Sequence, residues 1–498
     1  MILSRFPDSD RFKELAADHT VVPVCRRILA DTHTPVSLLQ KRHRPHGFLL
    51  ESVEGGENWG RYSFLGIDAH ALVEVFTHEV IYAPRAGEKE IFPHHGNPLA
   101  TIRELMTRFI PANLKELPRF WGGLTGYFTY EMAGFFEKLP LDLPQDTPFA
   151  QFILPETLVI FDNVRQDLTA LKICYLDGDE DAATVFDRAQ ADLDQLMAEL
   201  TAPASPATSQ ADAAPFEGLK PRDKDGDFLA GVDQIKNHII QGDVFQAVLS
   251  REFQGPAPKD PVAVYRAQRY LNPSPYMYFM DFGDRVIAGS SPETMVRLEQ
   301  GKATLRPIAG TRPRGTTEQE DRKLAHDLLG DDKEKAEHVM LIDLARNDLG
   351  RVAETGTVQV TETMVVEKYS HVMHLTSTVS CDLDRDKDAF DLFQSAFPAG
   401  TLTGAPKIRA MEIISGLEKN PRQIYGGAVG YISFTGNMDF AITIRTAVIE
   451  DGMLSVRAGA GIVHDSDAKS ELEECQNKAK SVEAALGLAL STQNGDKQ

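Results

Sequence analysis

Cysteine is scarce and scattered. The 498-residue chain holds four, Cys25, Cys174, Cys381 and Cys475, with no C-x-x-C pair and no zinc-like spacing. That excludes a disulfide scaffold and a zinc finger, and fits buried thiols in a reducing compartment. Long apolar runs are lacking too. No stretch of about 18 uninterrupted apolar residues occurs, so no membrane-spanning helix is expected, and the early charges of the opening string MILSRFPDSDRF are unlike a secretory leader. The expectation is an unprocessed cytoplasmic protein. Positive charge is in deficit: 52 Lys and Arg against 73 Asp and Glu leave a formal charge of −21. Such a field repels phosphate backbones and anionic lipid, so neither nucleic acid nor membrane is an expected partner. It also slows an anionic substrate, whose site must then carry local positive charge or a metal ion.

The composition, 42% hydrophobic and 25% charged, is that of an ordinary globular protein, with length for two or three domains. Residues 201–215 contain no Val, Ile, Leu, Met or aromatic side chain and cannot bury enough apolar surface to order themselves. They read as a linker, taken as 201–225. Before it, Val185, Ala189, Leu193, Leu196 and Leu200 recur at helical spacing and close a unit over 1–200. After it, a second unit runs over 226–490, followed by a tail at 491–498. Strand-like runs at 71–76, 122–130, 157–161, 171–176, 277–282, 286–290, 358–360, 372–379, 428–434, 442–449 and 454–458 lack regular βαβ alternation, which favours antiparallel pairing. The expected class is α+β: large, mostly antiparallel sheets packed as a sandwich, helices covering the outside, and two interleaved subdomains.

Two helices each present a pair of carboxylates. Glu334 and Glu337 are i,i+3 neighbours in EKAEHVMLIDLARNDLG (334–350), where Gly350 is the expected residue just past the helix end. The other helix follows Ser466 and Asp467, either of which can cap it. Its stripe of Leu472, Cys475, Ala479, Val482 and Leu486 is the buried face, and Glu471, Glu474 and Lys478 border that face. Brought together, the two pairs would offer hard oxygens suited to Mg²⁺. On spacing alone, solvated charges laced to Lys335 and Lys478 are the commoner reading. Glycines in GSSPE (289–293), PIAGTRPR (307–314), GTLTGAPK (400–407), YGG (425–427) and GAG (459–461) suggest an anion cradle, though each alone is also an ordinary turn signal. None has nucleotide-loop spacing. His371 and His374 form H-x-x-H, but the flanking valines and threonines argue strand, where residues three apart face opposite ways. One metal would not take both.

These strings, with LLES (49–52), NPSPYM (272–277), DLARND (343–348) and FPAGTLTGAPK (397–407) in order along most of the chain, resemble the anthranilate synthase component I family of chorismate-utilising enzymes. The resemblance implies conversion of chorismate and ammonia into anthranilate and pyruvate with Mg²⁺, the first committed step of tryptophan biosynthesis. It places Mg²⁺ on Glu337 and Glu474, with Glu334 and Glu471 in the same cluster. Arg445, Tyr425 and the backbone of Gly459, Ala460 and Gly461 would hold the enolpyruvyl carboxylate, and Gly310 and Thr311 would line the ring site. Glu293 would be the acid at the C4 hydroxyl and His374 the base at C2, with Thr401 and Lys478 completing the catalytic set.

The same resemblance separates sister products. In the aminodeoxychorismate branch the third position of P-I-x-G-T is a lysine nucleophile, and here it is Ala309. In isochorismate and salicylate synthases a lysine that activates water falls at Gln246, whose amide is no base. Aminodeoxychorismate synthase and a synthase stopping at 2-amino-2-deoxyisochorismate remain the alternatives. Glu51, Ser52, Pro275, Tyr276 and Met277 resemble a tryptophan feedback pocket shared between the first unit and 270–280. None of the four cysteines sits in a nucleophile-elbow turn. Ammonia is therefore expected from a separate glutamine amidotransferase subunit, component II, in a heterotetramer, or from free ammonium salts.

Overall fold

The computed structural model describes residues 2–30, 32–52, 60–178, 180–201, 218–369 and 372–492. Most of the expected linker, the end of the expected tail and His371 lie outside the described residues. Among the described residues, twenty-three strands belong to one hydrogen-bonded network. The pairings that define it are antiparallel, as the class read from the sequence requires.

The network has a root and two arms. At the root, Tyr62–Val75 pairs with Ala150–Asp162. One arm leaves through Phe48–Glu51, which sets Leu49 opposite Leu65 and Glu51 opposite Met277 of Tyr276–Asp281. It continues through Arg285–Ser291, Thr446–Glu450 and Met453–Ile462 to Gln246–Pro256. The other arm leaves through Gly123–Phe128 and runs by Ala428–Ser433, Met438–Ile442, Thr294–Glu299 and Lys302–Leu305 to Val372–Asp382, which also pairs with Ile308–Pro313. The far ends of both arms come together around one cavity.

Helices cover the strands with the faces their spacing dictates. In Ala182–Thr201, Val185, Ala189, Leu193, Leu196 and Leu200 are all buried. In Ala468–Thr492, Cys475, Ala479, Val482 and Leu486 are buried while Leu472 packs at the edge. Each fully buried aliphatic side chain contributes about 1.5–3 kcal/mol relative to exposure. Asp467 is the cap, accepting from the Ser470 N–H at 3.0 Å, whereas Ser466 accepts from the Val463 N–H instead. Helix Asp332–Gly350 starts at Asp331, whose carboxylate accepts from the backbone of Lys333 and Glu334. Gly350 does not end this helix as expected. It lies inside the last turn, and the cap residue is Arg351 in right-handed conformation.

Two large apolar clusters mix residues from before and after 201–225. One joins Phe128, Phe152 and Leu154 to Met295, Phe393 and Phe440. The other joins Leu49, Leu65 and Leu193 to Tyr265, Met277 and Phe279.

Candidate active site

The cavity between the arm ends has a volume of about 320 Å³, in the range of small-molecule sites. The bulge between Ala309 and Thr311 falls at Gly310, which has φ +66°. A bulge re-aims the strand, and a Cβ on Gly310 would lie 2.9 Å from Leu328 Cδ1. Opposite it, His374 Nδ1 lies 3.0 Å from the Gly310 carbonyl oxygen and 3.1 Å from Thr311 Oγ1. A carbonyl only accepts, so Nδ1 carries the proton and Nε2 keeps its lone pair. Burial holds the imidazole pKa below its usual value, which favours that neutral form.

Glu293 stands at the junction of Arg285–Ser291 and Thr294–Glu299, where the Ile442 N–H donates to its carbonyl. Its carboxyl accepts from Thr401 Oγ1 at 2.8 Å. Burial pushes its pKa up to about 7 against the lowering effect of the Thr401 bond and of Arg445 and Lys478. Arg445 interrupts what the sequence presents as one strand over 442–449. Two strands, Met438–Ile442 and Thr446–Glu450, flank it, and its φ is +50°. Its guanidinium lines the cavity, burial lowers its pKa, and among the described residues it makes no ion pair.

Along Met453–Ile462 the two-residue period divides GAG. Gly459 and Gly461 line the cavity, while Ala460 is fully buried on the other face among Val232, Ile235 and Ala410. The Ala460 side chain therefore faces the core, and what it offers the site is the backbone between the two glycines. A Cβ on Gly459 would meet the Tyr425 hydroxyl at 2.6 Å, and one on Gly461 would meet Gln246 Nε2 at 2.5 Å. Lys478 donates to the Gly459 carbonyl at 2.9 Å and pairs with Glu474 at 2.7 Å.

The two carboxylate pairs meet electrostatically at this wall. The Glu337 carboxyl is raised first by burial and then by Glu334, with Glu474 of the other helix adding to the effect and Lys333 and a Gln246 hydrogen bond opposing it. Glu471 is raised by burial and by Glu474. Only Glu337 of the four lines the cavity. Glu334 pairs with Arg312 at 3.3 Å, and Lys335 pairs with Asp332 rather than with Glu334 or Glu337. Among the described residues no three acidic, histidine or cysteine side chains are close enough to share an ion in this arrangement.

The Lys478–Glu474 pair follows from helical spacing, whereas the Arg312–Glu334 pair joins a strand to a helix and has no local pattern. Gln246, read from the sequence only as a missing lysine, lines the wall and hydrogen-bonds Glu337.

A second, smaller cavity of about 50 Å³ is lined by Glu51, Ser52, Pro275, Tyr276 and Met277, together with Arg119, Tyr431 and Asp439. The Glu51 carboxylate already accepts from Tyr265 and from Arg269 at 3.1 Å. Asp439 accepts from Tyr276 at 2.8 Å and from Arg119 at 3.2 Å. The last three residues come from distant segments and could not be read from LLES or NPSPYM.

A chorismate binding enzyme family model matches residues 53–484. Anthranilate synthase component 1 of Pseudomonas aeruginosa is 44% identical over 490 residues, covering 96% of this chain and 98% of that protein. The Aquifex aeolicus protein of the same name is 43% identical, covering 97% and 98%. The crystal structure of anthranilate synthase component I from Streptococcus pneumoniae superposes with a TM-score of 0.72 at 36% identity, over 91% of this chain and 98% of that one. A menaquinone-specific isochorismate synthase from Escherichia coli, at 19% identity and a TM-score of 0.67 over 96% and 98%, shares the fold. Identity at this level over nearly the whole length settles membership: the chain belongs to the anthranilate synthase component 1 family of chorismate binding enzymes.

Proposed function

We propose that this chain aminates chorismate with ammonia and eliminates pyruvate to give anthranilate, as the large subunit of an anthranilate synthase in tryptophan biosynthesis. The observation that carries this reading is the meeting, in one cavity, of an arginine that makes no ion pair among the described residues, a carboxyl group with pKa near neutrality and an imidazole with its Nε2 lone pair available.

Chorismate is a dianion entering an acidic protein, so charge compensation comes first. Arg445 suits the enolpyruvyl carboxylate, with Tyr425 and the bare backbone of Gly459 and Gly461 beside it. Gly310 and Thr311 border the ring, and Lys478 adds positive charge. Glu293, half protonated near neutrality, gives its proton to the C4 hydroxyl, which leaves as water while ammonia bonds to C2. Thr401 holds that carboxyl in place. His374 then takes the C2 proton, the C3–O bond breaks, the ring becomes aromatic, and the released enolpyruvate recovers a proton as pyruvate.

The acidic wall fits a divalent cation. Its donors are hard carboxylate oxygens, and burial, with their mutual repulsion adding to it, already raises Glu337 and Glu471. Glu337 and Glu474 would hold Mg²⁺, with Glu334 and Glu471 next to them and Glu474 released from Lys478. When bound, the ion supplies neutralisation of the ring carboxylate and polarisation of the diene. Ala309, a methyl group at the cavity wall, offers no covalent nucleophile. The Gln246 amide beside Glu337 offers no base for water. Both favour amination at C2.

Ammonia comes from a glutamine amidotransferase partner. All four cysteines are buried, and burial raises their thiols, Cys381 to about 11 and Cys174 and Cys475 to about 12. None is poised as a glutaminase nucleophile. The second cavity takes L-tryptophan, which inhibits by binding one arrangement of the chain more tightly than another. Chorismate with Mg²⁺ and ammonium, followed by anthranilate fluorescence and lactate-dehydrogenase-coupled pyruvate, tests the reading. Amination without pyruvate would overturn it in favour of 2-amino-2-deoxyisochorismate, and repetition with tryptophan tests inhibition.

A further inference from the structure

Tyr425 reaches the cavity on a run, 421–427, whose backbone is unusual at two points: Gln423 has φ +52° and Gly426 φ +71°. A non-glycine residue in the left-handed region costs on the order of 1 kcal/mol and persists only where its surroundings over-determine it. Those surroundings come from a segment 291 residues before Arg422 in the chain. Glu131, in the short helix Tyr130–Phe135 directly after Gly123–Phe128, is almost fully buried. Its Oε1 accepts from the Arg422 N–H at 2.6 Å and the Gln423 N–H at 3.2 Å. The Tyr130 N–H donates to the Gln423 carbonyl at 2.7 Å. Burial raises the Glu131 carboxyl to about 7, opposed by its own backbone N–H and by those two N–H donors.

Arg422 carries the clamp to the cavity wall. Its guanidinium sits 4.5 Å from the Tyr130 ring and 5.7 Å from the Tyr425 ring. It donates to the carbonyls of Leu402 and Val248 at 2.6 Å each and to both oxygens of Glu418. Leu402, Val248 and Tyr425 all line the cavity, yet Glu131 and Arg422 do not touch it.

We infer that Glu131 is a positioning residue for chorismate binding: it fixes the backbone of Arg422 and Gln423 and thereby sets where Tyr425 stands. The inference rests on the proposed function for its substrate. A displacement of about 1 Å in a substrate-contacting group is enough to cost one to two orders of magnitude.

The test is steady-state kinetics of the full chain with chorismate, Mg²⁺ and ammonium. Glu131→Ala is expected to raise KM for chorismate about tenfold while kcat changes less than about threefold, the pattern of lost ground-state binding. Glu131→Gln keeps an oxygen acceptor and should return KM to within about twofold of the parent. Glu131→Ala should add little to Tyr425→Phe, since both act through one hydroxyl. Unchanged KM in Glu131→Ala, or full additivity with Tyr425→Phe, overturns the assignment. If the alanine variant does not fold, Glu131→Asp, which withdraws the acceptor by one methylene, must show the same KM rise. An inactive parent protein would sink the proposed function instead, which keeps the two failures apart.

Discussion

Loss of the Glu293 proton should switch the enzyme off as pH rises. The ordinary glutamate value of 4.5 is raised to about 7. At about 1.4 kcal/mol per pH unit, that shift means the site disfavours the carboxylate by roughly 3 kcal/mol. The raised value also fixes the sign: the proton is held below about pH 7 and lost above it, so a general acid at this position works on the acid side. With free NH₃ held constant, kcat should fall about tenfold per pH unit once the pH is well above the Glu293 value. Glu293→Gln, which cannot give up a proton, should lower kcat by about 10²- to 10⁴-fold with little change in KM for chorismate, and its residual activity should lack that falling limb. Thr401→Val removes a hydrogen bond that lowers the Glu293 value, so the limb should move to higher pH. Anthranilate fluorescence across a pH series reads all three. A limb with the same midpoint in Glu293→Gln, or an acid shift in Thr401→Val, would refute the reasoning.

Arg445→Met should cost about a hundredfold in kcat/KM, on the order of 3 kcal/mol for one partner of a desolvated charge pair, with circular dichroism unchanged. Glu474→Ala should abolish Mg²⁺-dependent turnover while thermal unfolding stays close to the parent, because the side chain is half exposed and, among the described residues, ion-paired only with Lys478. Activity that still saturates with Mg²⁺ in that variant would remove it from the metal set. Ser52→Phe should relieve tryptophan inhibition with little effect on the uninhibited rate, and retained inhibition would count against the second cavity as the effector site.

The buried stripes of the two long helices were readable because periodicity alone fixes which face meets the core. The antiparallel character of the sheet followed from strands too closely spaced for helical crossovers. What spacing did not reveal was interruption. ITIRTAVI (442–449) has no breaker residue, yet Arg445 adopts a left-handed backbone there and reaches the cavity because the strand stops. Nor could spacing show that Glu337 and Glu474, on helices more than a hundred residues apart, lie within one another's field. Alternation along Met453–Ile462 turns the Ala460 side chain to the core while the glycines on both sides of it face the cavity. Glu131 was beyond reach altogether: its partners, Arg422 and Gln423, are set by the pairing of Gly123–Phe128 with Ala428–Ser433, which no local pattern encodes.

The hydrogen bonding of Phe48–Glu51 to Tyr276–Asp281 has a consequence for biogenesis. A ribosome that has released the first two hundred residues has delivered a strand with one of its two neighbours, Tyr62–Val75, but not the other, and the apolar side chains of Leu49 and Leu65 still lack the cover of Met277 and Phe279. The early part of the polypeptide therefore completes its core only once the later strand has been made. Two fragments divided between residues 201 and 218 should be unstable when expressed singly and should regain activity when co-expressed.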